Sequence, residues 1–415
     1  MSVTLEAQGT KTPTMLHFDA AQQLLALGAP PIDITEQVPA SDCVNRVLAE
    51  PITAVIDLPS ADNSAMDGYA IRYADLCDGK ALPVQERCYA GSMPQRLAPG
   101  NATRLFTGSL IPEGADTVIM QEHARERFNS VEFNCAARRG QHVRRRGEDI
   151  RQGQLLLGKG TLLQAAHVGL IATQGISQVG VYRRLRVGIV TTGDELVAPG
   201  NTLLPEQIFD SNGPMLASLL QGMGAQVTGT IHCRDNEYEI RGALGRLLSE
   251  SDLIVCAGGV SVGEKDLIKP ALESLGGELA AWKVRMKPGK PVAVAYVARK
   301  PVVCLPGNPG AAFSVFALLV TPMIRRMQGR EKLFPQVPRL PLYATRDEAR
   351  DRDDFIRVSC SISEEGQMRL VPFQQQGAGA LGSMTRTSGL ARVRPGSPFT
   401  SGQRAEYYDF QYWLA

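Results

Sequence analysis

Three apolar runs in the second half of the chain each lead directly into a glycine-rich turn that opens a helical segment. The runs with their turns are VGIVTTGDEL (187–196), LIVCAGGVSVGEKD (253–266) and VVCLPGNPGAAF (302–313). Strands that alternate with helices of this length predict βαβ units and a mainly parallel sheet. Loops at the carboxyl ends of parallel strands emerge at one edge of the sheet, where open α/β sheets bind ligands. The pattern therefore predicts an α/β domain with a ligand site at that edge.

The composition of these turns indicates the kind of ligand. Glycine lets the backbone approach a phosphate closely, and the free N–H groups and positive dipole end of a helix favour an anion. One such turn often uses glycine for steric reasons alone, but three in one domain favour a phosphate-bearing ligand. The residues expected to bind it are Thr192, Gly193, Gly258, Gly259, Ser261, Gly263, Pro306, Gly307 and Asn308.

Two of the three turns carry acids. Asp194 and Glu195 lie in the first, and Glu264 and Asp266 lie in the second. Carboxylates beside phosphate-binding loops most simply hold Mg²⁺ on a nucleotide or pyrophosphate. A structural alternative stays open for two of them, since Asp194 could cap a helix and Asp266 could be a first-turn helix acid.

Basic residues cluster in two places. The segment KVRMKPGKPV (283–292) carries Lys283, Lys287 and Lys290 around a Pro-Gly turn, which suits a multiply charged oxyanion, with a merely solvated turn as the alternative. The segment RRGQHVRRRGEDI (138–150) has no interleaved aromatic residues. That segment is typical of a solvated face or of interface salt bridges, so no nucleic acid is expected as a partner.

The composition excludes several classes of protein. The chain has 415 residues, 44% of them hydrophobic and 21% charged, which predicts an ordinary globular protein of about three domains. A net charge of +2 lacks the excess typical of a general nucleic-acid binder. Neither HExxH nor GxxxxGKS/T occurs, which removes the main argument for a zinc protease or a P-loop enzyme. The eight cysteines form no CxxC pair, so neither a zinc site nor a disulfide framework is expected, and Cys256 and Cys304 are predicted to be buried thiols.

The sequence also predicts where the chain resides. Its first fifteen residues lack the apolar core of a signal peptide. The longest apolar stretch, Phe313 to Ile324, is interrupted by Ser314, Thr321 and Pro322 and is too short to cross a bilayer. A cytoplasmic location without membrane contact is therefore expected.

The distribution of apolar residues divides the chain into regions. Helical spacing predicts helices over 18–27, 160–175, 213–222, 237–249 and 266–275. Residues 53–146 alternate in short, turn-rich pieces, which predicts a mostly β unit. The part from about 333 opens with spaced prolines and continues in strand-like pieces, which predicts a small β barrel or sandwich.

Seven ordered motifs carry a resemblance to a known family. They are DNSAMDGYA, FTGSLIPEGADTVIMQE, RRRGEDI, TTGDEL, GGVSVGEKD, MKPGKP and LPGNP. In this order, over about residues 15 to 400, they resemble the molybdopterin molybdotransferase family. That family includes bacterial molybdenum-cofactor enzymes (MoeA) and the E domain of gephyrin.

The resemblance implies a reaction and an architecture. The implied enzyme inserts molybdate into adenylylated molybdopterin with Mg²⁺ and releases AMP. The implied fold is multidomain α/β plus β, with four parts: an elongated discontinuous domain (15–52 and 147–182), an inserted β domain (53–146), a central α/β domain (183–332) and a C-terminal β barrel (333–415). It further implies a homodimer with the active site between subunits, and a molybdopterin adenylyltransferase as upstream donor.

The resemblance also assigns roles to acids. Asp266 in GEKD and Glu195 in TGDEL match family acids associated with the metal, the nucleotide and activity. Asp67 in MDGYA, Thr107 in FTGS and Asp149 in GEDI match positions that face the site from the partner subunit. A further match is Asp235, in CRD.

A second group of matches concerns molybdate. Lys287 and Lys290 in KPGKP match lysines that the family places near molybdate. Arg357 in DFIRV and Ser383 in GSM resemble the contribution of the C-terminal domain to that oxyanion site. A pocket of lysine and arginine suits a dianion because charge-assisted hydrogen bonds are about twice as strong as neutral ones.

Two departures and two alternatives accompany this assignment. The family often has a serine after PGNP, where this chain has Gly310 and Ala311, and frequently an asparagine where this chain has Ser388. A non-catalytic scaffold of the same fold is one alternative, but the acids at 67, 195, 235 and 266 are all present and favour an enzyme. A phosphoanhydride hydrolase that shares only the α/β domain would lack the flanking β segments.

Overall fold

The N-terminal helix packs against the α/β part of the chain. The structure is a computed structural model that describes residues 15–77, 80–259, 267–345, 350–396 and 398–415. Helix α1 (Phe18–Gly28) confirms the first predicted helix. Its buried residues Phe18, Ala21 and Leu25 recur every three or four positions and share one apolar core with strand residues such as Val255.

The chain then continues in short strands. They are β1 (Thr35–Pro39), β2 (Ile52–Thr53), β3 (Asn63–Ser64), β4 (Gly68–Ile71), β5 (Leu82–Cys88), β6 (Ala102–Leu105), β7 (Thr117–Met120), β8 (Ala124–Arg127), β9 (Ser130–Phe133) and β10 (Val143–Arg144). Strands β4 to β9 form a six-stranded sheet of order β7-β4-β6-β5-β9-β8, and β3 pairs with β10. This sheet has an apolar core of its own, around Tyr69, Val84 and Val131. The region therefore has the short strands that the sequence predicts for 53–146.

Two separated stretches of chain form one further unit. After β10 come β11 (Leu155–Leu157), α2 (Ala165–Thr173) and β12 (Gln178–Tyr182). Strand β11 pairs antiparallel with β2, and β12 pairs antiparallel with β1. Leu48 of the first stretch packs in one core with Leu163 and Val181 of the second. The β3–β10 segment is thus inserted between paired stretches, while the predicted domain boundaries stay predictions.

The α/β part contains nine strands and five helices among the described residues. The strands are β13 (Arg186–Thr192), β14 (Leu196–Val197), β15 (Ile208–Phe209), β16 (Gln226–Cys233), β17 (Leu253–Ala257), β18 (Glu278–Lys283), β19 (Met286–Lys287), β20 (Pro291–Val297) and β21 (Lys300–Leu305). The helices are α3 (Asn212–Gly222), α4 (Glu237–Glu250), α5 (Ile268–Ser274), α6 (Pro309–Val315) and α7 (Thr321–Met327). The predicted helices at 213–222 and 237–249 are confirmed.

Six of these strands form a mixed sheet of order β16-β13-β17-β21-β20-β18. The four strands β16, β13, β17 and β21 run parallel, as the sequence predicts, whereas β20 pairs antiparallel with both β21 and β18. Side chains alternate between the two faces because the strand period is two. Val255 packs on the face covered by α1, α3, α6 and α7, and Cys256 packs on the face covered by α4 and α5. Cys256 and Cys304 are opposite each other on paired strands and are fully buried, as predicted.

The most apolar helical segment lies in this core. Helices α6 and α7 and the π-helical turn Phe316–Val320 between them make a segment of 19 residues, Pro309–Met327, with mean hydropathy 1.3. By length and composition alone this segment, which extends the stretch 313–324 at both ends, could cross a membrane. Of its apolar window, 89% is buried inside the protein, where Val315 and Met323 pack under the sheet.

The C-terminal part is a second mixed sheet. Its elements are β22 (Arg339–Pro341), β23 (Asp353–Ile362), β24 (Met368–Pro372), β25 (Gly389–Val393), β26 (Arg404–Asp409) and the short helix α8 (Phe410–Trp413). The order is β19-β23-β25-β26-β22, with β24 on β23. A bridge between Leu342 and Leu370 brings the end of β22 to β24. Because β19 joins this sheet, the lysine-rich turn at 287–290 is attached to the C-terminal part.

A buried arginine holds the N-terminal helix to the C-terminal sheet. The guanidinium of Arg392 donates to Asp353 at 2.6 Å, to Asp19 of α1 at 2.5 Å and to Glu406 at 3.2 Å. Its side chain is only 3% exposed and lies 4.7 Å from the ring centroid of Phe18. The ion pair between Arg392 and Asp353 is therefore buried. Removing either side chain would leave the charge of the other one buried without a partner.

We expect Arg392→Ala to lower the free energy of unfolding by about 3–5 kcal/mol, because the Asp353 carboxylate stays buried without its partner. Urea denaturation followed by tryptophan fluorescence measures this, since Trp413 is buried in the same core. The matched control is Arg394→Ala, whose guanidinium is 58% exposed and pairs with Glu406 and Asp19. This control should cost no more than about 1 kcal/mol. Equal losses in the two variants would contradict the buried-pair interpretation.

Candidate active site

A cavity of about 480 Å³ opens at the carboxyl edge of the parallel strands. It is lined by Thr192, Gly193, Glu195, Leu196, Ile208, Phe209, Ser211, Asn212, Asp235, Ala257, Gly258, Gly259, Pro291, Pro306, Gly307, Asn308 and Pro309. All three predicted glycine-rich turns contribute to this lining. The parallel register explains why they meet, since β13 and β21 both pair in parallel with β17, so the three strands end side by side.

The glycines allow two of the turns to touch. Gly258 has φ +101°, and a β-carbon there would lie 2.6 Å from the carbonyl oxygen of Thr192. A side chain at 258 would therefore separate the turn after β17 from the turn after β13. Gly259 has φ +62°, a left-handed conformation that favours glycine. These contacts bring the backbone of two turns together at the cavity wall.

Two carboxylates belong to the cavity lining. The Glu195 carboxylate covers Gly193, where a β-carbon would lie 2.5 Å from Glu195 Oε2. Asp235 follows the neighbouring strand β16, and its backbone N–H donates to Asp194 Oδ1 at 3.1 Å. This hydrogen bond joins the turn that follows β13 to the turn that follows β16. The lining given by described residues contains no lysine or arginine, so its charge is negative.

A segment that the sequence does not single out completes the cavity. Strand β15 places Ile208 and Phe209 at the cavity, with 56% and 44% of their surfaces exposed. The buried Asp210 accepts from Thr191 Oγ1 at 2.8 Å and from the N–H of Gly213 at 3.0 Å, which fixes the start of α3. Asn212, the first residue of α3, donates from Nδ2 to the Gly307 carbonyl at 2.7 Å. In the sequence, the only signal for Ile208, Phe209 and Asn212 is a short apolar pair that precedes a predicted helix.

The predicted lysines lie beside the cavity rather than in its lining. Lys287 and Lys290 are exposed, and Pro291, the residue after Lys290, lines the cavity. Gly289 between them has φ +101° and packs against Val315 of α6 so closely that any β-carbon would overlap its side chain. Lys283, at the end of β18, is half-buried. None of these lysines forms an ion pair within the described residues.

The C-terminal part reaches the same helix from the other side. Ala311 N–H donates to the Ala378 carbonyl at 3.1 Å. A β-carbon on Gly310 would lie 2.7 Å from that same oxygen and 3.0 Å from Arg357 Nη1. The loop 377–380 and the Arg357 guanidinium are therefore docked against the start of α6.

The predicted oxyanion residues of this part bind backbone in the structure. Arg357 is 1% exposed and donates to the carbonyls of Gly377 at 2.8 Å and Ala380 at 3.4 Å. Burial lowers the pKa of its guanidinium. Ser383 Oγ donates to Ala380 O at 2.5 Å. Ser388, which stands where the family frequently has an asparagine, is occupied within the C-terminal part. Its Oγ accepts from Cys360 N–H and Tyr407 O–H, each at 2.7 Å.

The inserted sheet carries a separate acidic group. Asp67 Oδ1 accepts from both the backbone N–H and the hydroxyl of Thr107, each at 2.7 Å. These hydrogen bonds, the backbone one first, lower the pKa of Asp67 below its ordinary value. Asp149 is exposed, and its N–H donates to Leu58 O. Neither acid nor Thr107 lines the cavity of this chain.

The arginine run at 144–146 forms salt bridges. Arg145 pairs with Asp62 at 2.7 Å, and Arg146 pairs with Asp57 at 2.6 Å. These arginines are exposed, as expected of a solvated face, and the ion pairs of Arg145 and Arg146 lie within the chain rather than at an interface.

Three predicted site residues, Ser261, Gly263 and Asp266, lie outside the described residues. Among the described residues no group of three histidine, cysteine, aspartate or glutamate side chains is placed to hold a metal ion. The assignment of Glu195 and Asp266 to a metal therefore stays a prediction.

Comparisons with known proteins match this architecture along the chain. A family model described as the MoeA N-terminal region (domain I and II) matches residues 16–175, one described as a probable molybdopterin binding domain matches 188–326, and one described as the MoeA C-terminal region (domain IV) matches 339–410. The molybdopterin molybdenumtransferase of Haemophilus influenzae is 38% identical over 368 residues, which cover 88% of this chain and 91% of that protein. The chain belongs to the molybdopterin molybdenumtransferase family.

Further members of this family agree. The Nostoc sp. molybdopterin molybdenumtransferase is 40% identical over 296 residues, covering 69% of this chain and 68% of that protein. Two structures of the Pyrococcus horikoshii molybdopterin biosynthesis protein MoeA superpose with TM-scores of 0.78 and 0.81, at 29% and 27% identity. The superpositions include 96% and 95% of this chain and 99% of each Pyrococcus horikoshii chain. The multidomain α/β architecture with mixed sheets is thus that of the family.

We expect the pKa of Asp67 to lie below the ordinary aspartate value, so its interaction with Thr107 persists in moderate acid and is lost only as the pH falls through that lowered pKa. Thr107→Val removes the hydroxyl donor and should raise the pKa of Asp67, while the backbone N–H keeps it below the ordinary value. NMR titration of ¹³C-labelled aspartate carboxyls measures both. Thr107→Ser, which keeps a hydroxyl, is the control. An unchanged pKa in Thr107→Val would show that the hydroxyl plays no part.

Proposed function

We propose that the chain inserts molybdate into adenylylated molybdopterin in a Mg²⁺-dependent reaction that releases AMP. The observation that carries this proposal is the convergence of three glycine-rich turns and two carboxylates on one cavity of about 480 Å³, in a member of this family. Backbone N–H groups at such turns suit the phosphates of the pyrophosphate link. The names of the relatives supply the substrate class, molybdopterin and molybdenum.

The charge of the cavity supports a divalent cation. Glu195 and Asp235 both line it, and the described lining offers no basic side chain to a phosphate. A pyrophosphate bound there would be repelled without a counter-ion. Mg²⁺ is typically held by one or two carboxylates together with substrate phosphates and water, which fits this donor set. When bound, the ion neutralises phosphate charge and polarises the phosphoryl oxygens.

The residues of the chain then have distinct tasks. Glu195 and Asp235 hold the cation, and we propose that Asp266 shares this task, as the family resemblance implies. The turns at 192–193, 258–259 and 306–308 hold the pyrophosphate through backbone N–H groups. AMP leaves when the phosphoanhydride bond to the molybdopterin phosphate breaks on addition of water, whose oxygen joins one phosphorus while its protons are released to solvent.

A second corner, beside the cavity, suits molybdate. Lys287 and Lys290 are exposed cations with no ion-pair partner in the described part of the chain, and Gly289 fixes their turn against α6. Arg357 lies against the start of the same helix, but its guanidinium is buried and donates to backbone carbonyls, so the lysines supply the exposed charge of this corner. A tetrahedral dianion needs several such donors, so we assign it to this corner, with Lys283 and Ser383 at its margin.

We propose a homodimer in which Asp67, Thr107 and Asp149 complete the site of the partner subunit. Their position outside the cavity of their own chain supports this. The proposed enzyme is cytoplasmic and receives its substrate from a molybdopterin adenylyltransferase. The C-terminal barrel and the four-domain division belong to the same proposal, and the bridge between Leu342 and Leu370 supports the barrel.

We expect Glu195→Gln and Asp235→Asn each to raise the Mg²⁺ concentration for half-maximal AMP release by about tenfold or more, because each removes one negative charge that faces the cation. AMP release from adenylyl-molybdopterin and molybdate is measured while Mg²⁺ is titrated. Glu206→Gln, an exposed acid outside the cavity lining, is the matched control. Asp266→Ala is expected to abolish release. Equal Mg²⁺ dependence in all variants would overturn the proposed cation site.

We expect Lys290→Gln to raise the molybdate concentration for half-maximal turnover by about 10-fold to 100-fold, the loss of one hydrogen bond to a charged group. AMP binding should stay unchanged, because Lys290 does not line the cavity. Kinetic titration with molybdate and calorimetry with AMP measure the two effects. Lys332→Gln, an exposed lysine elsewhere, is the control. A variant that loses AMP affinity instead would place this lysine at the nucleotide.

A further inference from the structure

The inserted sheet contains a buried arginine whose acceptors are neutral. Arg104, on β6, is 8% exposed, and its guanidinium donates to Gly68 O at 3.1 Å and to Gln121 Oε1 at 2.5 Å. It forms no ion pair with a carboxylate in the described part of the chain. Arg87, directly opposite on β5, does have such a partner in Glu126. A buried cation without its own carboxylate is costly, so its position calls for a reason beyond stability.

The two hydrogen bonds of Arg104 hold the backbone beside Asp67. Gly68, the first acceptor, is the residue that follows Asp67 and begins β4. Gln121, the second acceptor, donates its own N–H to the Asp67 carbonyl at 3.0 Å. The guanidinium therefore holds the backbone of Asp67 from two sides, directly through Gly68 and indirectly through Gln121.

The same guanidinium contacts the segment that carries Thr107. Its central carbon lies 4.8 Å from the ring centroid of Phe106, the residue before Thr107, and 5.0 Å from that of Tyr69. A cation at this distance is attracted to the face of an aromatic ring. Phe106 in turn stacks on Tyr89, with the centroids 4.6 Å apart and the planes 6° from parallel. Arg104 thus contacts the neighbours of both residues that form the Asp67–Thr107 pair.

The charge of Arg104 acts on the same pair. The N–H and the hydroxyl of Thr107 lower the pKa of Asp67, and the positive charge of Arg104 lowers it further. A nearby opposite charge favours the ionised carboxyl. Since no other carboxylate neutralises Arg104 in the described residues, Asp67 is the acid on which this charge acts.

We infer that Arg104 is a positioning residue for the Asp67–Thr107 pair, which it holds from inside the inserted sheet. This inference rests on the proposed function, in which Asp67 and Thr107 complete the site of the partner subunit. Arg104 touches no substrate, because its side chain is buried within its own sheet. Its contribution to turnover therefore passes through Asp67.

A double-mutant cycle tests this dependence. Arg104→Gln removes the charge and should lower kcat for AMP release by about 10-fold to 100-fold, since a misplaced group can cost that much. Asp67→Asn should lower kcat as well. The double variant should be no slower than Asp67→Asn alone, because residues that act as one unit are not additive. Arg87→Gln, the matched control on the neighbouring strand, should change kcat less than about twofold.

NMR titration of ¹³C-labelled aspartate carboxyls tests the same coupling without turnover. In Arg104→Gln the pKa of Asp67 should rise, whereas in Arg104→Lys, which keeps the charge, it should stay near the wild-type value. Lysine lacks the planar fork that reaches two acceptors, so kcat in Arg104→Lys should be restored only in part. This variant also serves if the glutamine variant fails to fold.

Two results would overturn the inference. The first is a double variant that is slower than Asp67→Asn by the full factor measured for Arg104→Gln, since Arg104 would then act independently of Asp67. The second is an equal pKa of Asp67 in the wild type and in Arg104→Gln. Failure of the proposed function appears separately, as absent AMP release by the wild type or as full turnover in Asp67→Asn. The comparison of pKa values then still decides whether Arg104 acts on Asp67.

Discussion

The parallel register of β13, β17 and β21 is the constraint on which the site depends. Val190 and Cys304 both pair with Cys256, so the three strands end level and their turns face one another. Gly258 then lies against Thr192 at a distance that excludes a side chain. A shift of one of these strands by one residue would turn its core residues to the opposite face and move its turn away from the other two.

The charges near this edge are divided between two places. The cavity holds carboxylates, and its described lining has no cationic side chain, whereas the adjoining turn holds exposed lysines. In the proposed reaction, a phosphate in the first place is held together with a metal ion, while a metal oxide in the second is bound directly by side-chain cations. Helix α6 connects the two, since Asn308 at its start lines the cavity and Val315 at its end packs on Gly289. The two anions of the proposed reaction would then lie next to each other without sharing ligands.

The sequence predicts what local patterns control. The order of strand, glycine turn and helix is visible in residues such as Gly193 and Gly258, and nine predicted binding or catalytic residues do line the cavity. Asn212 and Phe209 are not predictable in this way, because tertiary contacts alone decide that Asn212 is buried and that Phe209 is exposed. The orientation of Arg357 toward the carbonyls of Gly377 and Ala380 likewise depends on a loop that is distant in sequence. Residues 260–266, which include Asp266, lie outside the described residues.

The packing around Gly310 has a consequence for how this sequence can diverge. No β-carbon fits between α6, Ala378 and Arg357. A hydroxyl-bearing residue at 310 is thus incompatible with the present path of the loop 377–380. A lineage that exchanges this glycine for serine must alter that loop beforehand or at the same time. The two segments, nearly seventy positions apart, are therefore expected to covary as one evolutionary unit.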